Sequence, residues 1–174
     1  MTKKNERSEA MVRGQITQPY HKRVAKRIDE TVVFNFPDGI PAFEDSKRFV
    51  LMVNDKIKPF FYFKSLDVKG LSFVCIDPFL VCKGYSVKLS AKDQSLLGLE
   101  DVNTAFVLSL VTVEKDPRKT TTNLLAPIVI NMENLSGRQV ILDENFPVRF
   151  NIWDGLEAQA PEPQDNPPTT AKPL

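Results

Sequence analysis

Few side chains in this chain can do covalent or acid–base chemistry, and their spacing suits it poorly. The one histidine, His21, lies in the basic run His21-Lys22-Arg23-Val24-Ala25-Lys26-Arg27. A Ser-His-Asp or Cys-His constellation would have to use it, and a basic run is a poor platform for a rigid site. Cys75 and Cys82 are spaced Cys-x6-Cys across an Asp-Pro turn. With a single histidine they do not make a zinc cluster, and such a pair in a reducing compartment reads as two buried small hydrophobes. Carboxylates are paired at Glu44-Asp45, Glu100-Asp101 and Asp143-Glu144. Each pair falls in a predicted turn, where acids serve local hydrogen bonding and solubility. With seven glycines in all, there is no phosphate-cradling loop and no dinucleotide fingerprint. No catalytic, metal or cofactor site is expected. These absences point to a protein that works by contact.

The bulk properties agree. A chain of 174 residues supports one domain with a real core. The formal charge of +1 gives no whole-molecule field toward nucleic acid or membrane. No apolar run approaches the roughly 20 residues of a membrane span. The first residues, Met1-Thr2-Lys3-Lys4-Asn5-Glu6-Arg7, lack the apolar core of a secretory signal, so a cytoplasmic location is expected. Charge is unevenly spread. Residues 1–30 hold eight Lys/Arg against four acids, whereas residues 31–153 hold fourteen of each. The basic end reads as a solvated tail or as an arm for RNA. The run Phe60-Phe61-Tyr62-Phe63 would stack bases if exposed, but alternation buries about half of it and the neutral body offers no phosphate track.

The elements that must position any site are short strands. Apolar alternation or runs predict strands over 31–36, 48–53, 59–66, 71–77, 85–89, 104–113, 124–130 and 138–142. Val68-Lys69-Gly70 should turn 59–66 back onto 71–77. In the first strand Val32, Phe34 and Phe36 share a face; in 85–89, Tyr85, Val87 and Leu89 point inward. One short helix is expected near 90–98, with Ser90 as its cap, Asp93 three residues on and Gly98 as its stop. The reading is an all-β fold, a mainly antiparallel small barrel or sandwich. Residues 1–15 are expected to be a flexible extension, 16–153 the β domain, and 154–174 a disordered proline-rich acidic tail.

The segment Asn123-Leu124-Leu125-Ala126-Pro127-Ile128-Val129-Ile130-Asn131 reads as a strand interrupted by proline. Proline is confined to edge strands, strand starts or bulges. Taken with Phe36-Pro37-Asp38-Gly39-Ile40-Pro41-Ala42-Phe43-Glu44-Asp45, Leu71-Ser72-Phe73-Val74-Cys75-Ile76-Asp77-Pro78-Phe79 and Gly137-Arg138-Gln139-Val140-Ile141-Leu142, and with their order and spacing along the chain, the chain resembles the bacterial flagellar assembly factor FliW family over roughly residues 31–153. The family usually has glycine where Ala42 stands.

The resemblance implies a non-enzymatic factor that binds flagellin and the translational regulator CsrA. On that pattern, flagellin depletion frees the factor to capture CsrA and relieve repression of flagellin synthesis. Neither nucleic acid nor membrane is an expected partner; the alternative is RNA binding through the basic N-terminal segment. An edge strand marked by proline would offer a docking edge, which makes Asn123, Pro127, Ile128, Ile130 and Asn131 the expected partner-binding residues. Phe36, Pro37, Gly39, Pro41, Phe43, Asp77, Pro78, Gln139 and Val140 are expected to act as scaffold.

Overall fold

The computed structural model describes residues 15–17 and 32–159. The basic run 21–27 and residues 160–174 lie outside the described residues, as does all of the N-terminal extension but Gln15. The strands are β1 (Gln15–Ile16), β2 (Val33–Asn35), β3 (Arg48–Met52), β4 (Phe60–Ser65), β5 (Ser72–Ile76) and β6 (Val87–Lys88). They continue as β7 (Ala105–Thr112), β8 (Thr121–Thr122), β9 (Ile128–Asn131), β10 (Ser136–Gln139) and β11 (Phe150–Asn151). The helices are α1 (Pro78–Val81), α2 (Ala91–Leu97) and α3 (Ile152–Gln159).

Seven strands close on themselves in the order β7-β5-β4-β3-β2-β10-β9, with β9 returning to β7. Every pairing in this barrel is antiparallel except β10 with β2, which meet in parallel at Ser136 and Asn35. Alternation along each strand sends one set of side chains inside. Phe34, Phe36, Phe49, Leu51, Phe63, Cys75, Phe106, Leu108, Ile128 and Ile130 form that interior. The rings of Phe49 and Phe63 stack at 4.7 Å, and Phe36 meets them edge-on at 5.2 and 5.4 Å. Such geometries match negative ring faces to positive edges.

Phe36 needs space, and Gly137 on β10 supplies it. A methyl group at Gly137 would overlap the Phe36 ring and press on Ile130. A second core lies outside the barrel, over β7 and β9. Ala105, Val107 and Val129 face outward there and are covered by Ile16, Tyr85, Val87, Leu89, Leu97 and Leu99. The Tyr85 hydroxyl donates to the Leu124 carbonyl at 2.8 Å, so its burial leaves no polar group unmet. β7 and β9 are therefore buried on both faces.

Helix α2 forms where its caps predict. Ser90 Oγ accepts from the Asp93 N–H at 3.0 Å, and Gly98 closes the helix in the left-handed region at φ 59°. The β4–β5 hairpin also forms as expected, with Gly70 in its turn.

Four expectations are corrected. The proline-containing segment is not one strand over 124–130. The Asn123 side-chain oxygen accepts from the Leu125 and Ala126 N–H groups at 3.1 and 3.0 Å, which diverts them from a sheet ladder. The strand starts only after Pro127. Nor is it an edge, because β9 pairs with both β7 and β10. The last barrel strand is Ser136–Gln139, not 138–142, and Gly137 sits inside it. The tail does not begin at 154: residues 154–159 continue α3. Asn151 caps this helix, accepting from the Trp153 and Asp154 N–H groups at 2.9 and 3.2 Å. Gly155 lets it approach the carbonyl of Val81 in α1, and Leu156 packs on the outer core. Asp77-Pro78, read as a strand end, also starts α1, with aspartate as cap and proline in the first turn.

Gly137→Ala should lower stability by about 1–3 kcal/mol, the usual range for over-packing a filled core; urea denaturation checks this. Ala42 holds φ at 72°, a left-handed conformation that costs a non-glycine residue about 1–2 kcal/mol. Ala42→Gly should therefore raise stability by about 0.5–1 kcal/mol after the added chain entropy of the unfolded state. The same denaturation experiment reads that gain.

Candidate partner-binding surface

The side chains leaving the barrel on β4 and β5 build a concave surface. Phe60 and Tyr62 point outward from β4, opposite to the inward Phe63, and Val74 lies beside Tyr62 in cross-strand register. Val113 and Pro117 approach from the segment after β7, and Trp153 from the first turn of α3. With Ile57 and Thr120 they line a groove of about 370 Å³. Tyr62 is 41% exposed and Val113 64% exposed, so its apolar floor is reachable from solvent.

Local hydrogen bonds hold the walls. The Trp153 indole N–H donates to the Pro117 carbonyl at 2.6 Å, and its ring stands edge-on to Phe60 at 6.4 Å. The Asn54 side chain accepts from the Lys56 N–H at 2.9 Å and caps the single 3-10 turn Asp55–Ile57. Asp116 caps the turn Pro117–Lys119 in the same way. The Asn151 side chain donates to the Arg118 carbonyl at 2.9 Å, and Arg118 pairs with Glu157 at 2.8 Å. Lys56 and Lys58 make the rim cationic. Lys58 also reaches Asp55 at 2.6 Å, holding that carboxyl below its ordinary range through the hydrogen bond first and charge second. No cysteine, histidine or carboxylate lines the groove. Its chemistry is that of a shallow aromatic seat with a positive margin, suited to an extended apolar segment carrying acids.

The expected docking residues are elsewhere and mostly inaccessible. Ile128 and Ile130 are fully buried in the barrel, Pro127 is buried, and Asn131 is 1% exposed. Asn131 instead anchors α2, donating to the Leu97 and Gly98 carbonyls at 3.1 and 2.9 Å. Asn123 is half-buried and shapes the turn before β9. These residues brace the fold and present no free strand edge.

The expected scaffold residues divide. Phe36, Pro78 and Val140 are buried. Gln139 donates to the Ala126 carbonyl at 2.9 Å, and the Val140 N–H donates to the Pro127 carbonyl at 2.9 Å. Gly39 sits at φ 73°, where a side-chain carbon would come within 2.6 Å of Glu44 Cα. Pro37 and Pro41 are exposed turn residues, and Phe43 is 41% exposed with its ring edge-on to Phe73 at 5.1 Å. The groove residues Tyr62, Val113 and Trp153 were not expected as a site. Alternation in Phe60-Phe61-Tyr62-Phe63 carried the available signal, since it separates Phe60 and Tyr62 from the core phenylalanine Phe63.

Groups with potential chemistry are muted. Both cysteines are free thiols; burial pushes the Cys75 thiol far up, and Cys82 rises for the same reason. Among the described residues no cluster of three His, Cys, Asp or Glu could hold a metal ion. No helix among them is long and apolar enough to cross a membrane.

Fold and surface together define a small closed β-barrel with helical covers and an exposed apolar groove. The FliW protein family model matches residues 19–152. The chain belongs to the FliW family of flagellar assembly factors. A flagellar assembly factor FliW from Bacillus velezensis is 32% identical over 141 residues, covering 80% of this chain and 97% of the relative. One from Exiguobacterium sp. is 39% identical over 127 residues, covering 72% and 86%. A crystal structure of the flagellar assembly factor FliW superposes with a TM-score of 0.67 at 32% identity, covering 80% of this chain and 96% of that one.

Asp77 yields a pH prediction. It is buried and accepts from the Phe79 N–H at 2.8 Å. Burial pushes its carboxyl from 3.8 up to about 7, against the opposing pull of the Phe79 and Leu80 amides. Between those values the folded state holds the proton more tightly than the unfolded chain does. The contribution of Asp77 is thus fully present below the unfolded value and is lost as pH rises through the folded one. Asp77→Asn keeps a good helix cap and removes this titration. Its stability relative to the wild type should rise as pH goes from about 4 to about 8. Urea denaturation across that range checks it; a difference independent of pH would contradict it.

Proposed function

We propose that this chain is a non-enzymatic, cytoplasmic regulator that binds flagellin and the translational regulator CsrA. When flagellin is depleted, the free factor captures CsrA and relieves repression of flagellin synthesis. The observation that carries this reading is membership of the flagellar assembly factor family across residues 19–152, on the same scaffold as a solved member. The surface chemistry supports it. The groove offers aromatic and aliphatic area with hydrogen-bonded walls, a suitable seat for a protein segment.

Calorimetric titration with flagellin and with CsrA of the same organism tests the proposal. Saturable heat with both is expected, at about micromolar affinity or tighter; heat with neither, from a folded sample, would overturn it. Binding to flagellin alone would leave an assembly factor without the translational role.

Tyr62→Asp tests where binding occurs. Tyr62 is exposed, so the substitution should leave the thermal midpoint nearly unchanged. A loss of at least about tenfold in affinity for one partner is expected, as for a buried aromatic anchor. Full affinity for both partners would place docking on another face.

A further inference from the structure

One stretch of strand edge has no neighbour. β10 ends at Gln139, but the chain runs on in extended register: the Val140 and Leu142 N–H groups donate to the Pro127 and Leu125 carbonyls, each at 2.9 Å. Backbone groups alternate in direction along a strand, so those of Gln139 and Ile141 face the other way, toward β2. β2 does not reach them. Its bridge to β10 lies at Asn35 and Ser136, where the Asn35 N–H donates to the Leu135 carbonyl at 2.8 Å. One residue later the Phe36 N–H turns to the Lys47 carbonyl at 2.7 Å, and the Phe36 carbonyl accepts from Gly39 as the turn at Pro37 and Asp38 folds away. Among the described residues nothing on this side pairs with the backbone groups of Gln139 or Ile141.

The side chains around this edge favour one kind of occupant. Val140 and Leu142 point into the outer core, so Ile141 points to the opposite face, where it is 76% exposed. It offers an apolar contact beside the free backbone groups. The acids Asp143 and Glu144 follow directly. Neither has an ion-pair partner among the described residues, and Glu144 Oε2 is buried with no hydrogen-bond donor. This end of the edge therefore carries uncompensated negative charge. A cation on an added strand would neutralise it, whereas a second copy of this chain would bring the same two acids. Sheet edges capture extended segments in this way: main-chain hydrogen bonds give affinity, and alternate side chains give selectivity.

We propose that the edge at 139–141 takes an extended, basic segment of a partner protein as an added strand, with an apolar side chain on Ile141 and a Lys or Arg beside Asp143. The added strand lies in line with β2 and fills the place that β2 vacates after Phe36. The site shares no residue with the groove lined by Phe60, Tyr62 and Trp153. It stands whether or not flagellin or CsrA is the protein that supplies the strand.

The test is an NMR titration of the isotope-labelled, full-length protein at low salt with the end-blocked peptide Lys-Val-Thr-Val-Thr-Val-Lys. The amide signals of Gln139 and Ile141 should shift saturably, at about millimolar affinity or tighter. Ile141→Pro removes the edge N–H and leaves the Val140 and Leu142 bonds in place, as proline is tolerated at a strand edge. It should weaken binding at least about fivefold, the scale of one lost hydrogen bond; circular dichroism confirms that the variant is folded. Asp143→Lys, on an exposed side chain, should weaken binding about threefold, the scale of an exposed ion pair. The same peptide with Glu in place of Lys should prefer that variant to the wild type. Absence of shifts at Gln139 and Ile141 up to millimolar peptide would overturn the proposal. So would shifts confined to Tyr62 and its neighbours, or an affinity that either substitution leaves unchanged. A sedimenting mass that rises with protein concentration in the wild type and not in Ile141→Pro would give the edge to a second copy, and would overturn it as well.

Discussion

The barrel closes because one phenylalanine fits where one strand has no side chain. Phe36, at the end of β2, occupies the interior position that Gly137 leaves open on β10. This is also where the only parallel pairing of the barrel is made, through Ser136 and Asn35. A larger residue at 137 would push the ring out and separate β2 from β10. Phe36 then contacts Phe49 and Phe63, so the closure is continuous with the aromatic interior. Dense packing of this kind tolerates little change in volume.

Closure decides which surfaces remain for function. Once β9 is bonded to both β7 and β10, no ladder edge is free there. The outer sides of β7 and β9 are covered by α2 and the segments around β6, held by Asn131 at the end of α2 and by Tyr85 beside Leu124. On the adjoining flank, β4 and β5 turn Phe60, Tyr62 and Val74 outward; Phe60 packs against the outer core and Tyr62 stays reachable from solvent. Helix α3 borders that flank without closing it. The groove lies where the outer cover over β7 stops and β4 and β5 begin.

Much of this was legible in the sequence where the signal was local. Ser90, Asp93 and Gly98 mark a helix because caps act over a few residues, and Gly70 marks a hairpin because its tight turn needs a positive φ. The all-β class followed from period-two alternation. The barrel's closure was not legible, since nothing local pairs Gly137 with Phe36 across a hundred residues. Pro127 misled for a related reason. A proline before a strand reads like a proline within one until the turn made by the Asn123 side chain is seen. α3 was hidden by Gly155, a helix breaker in isolation that here permits close approach to α1. The expected docking residues were chosen for an edge that closure removes. The groove needs β4, β5, the turn after β7 and α3 together, so only the aromatic alternation at residues 60–63 pointed toward it.

The barrel is one cooperative body whose strands unfold together, with the groove-forming turns as its less protected margin. Native-state hydrogen exchange tests this most directly. The amides of Val107, Val129, Ile130 and Arg138 should exchange only through global unfolding, with the same free energy as denaturant unfolding. The amides of 54–58 and 114–119 should exchange at much lower free energy. If β9 and β10 instead opened together well below the global value, the Phe36–Gly137 closure would not be what holds the barrel shut.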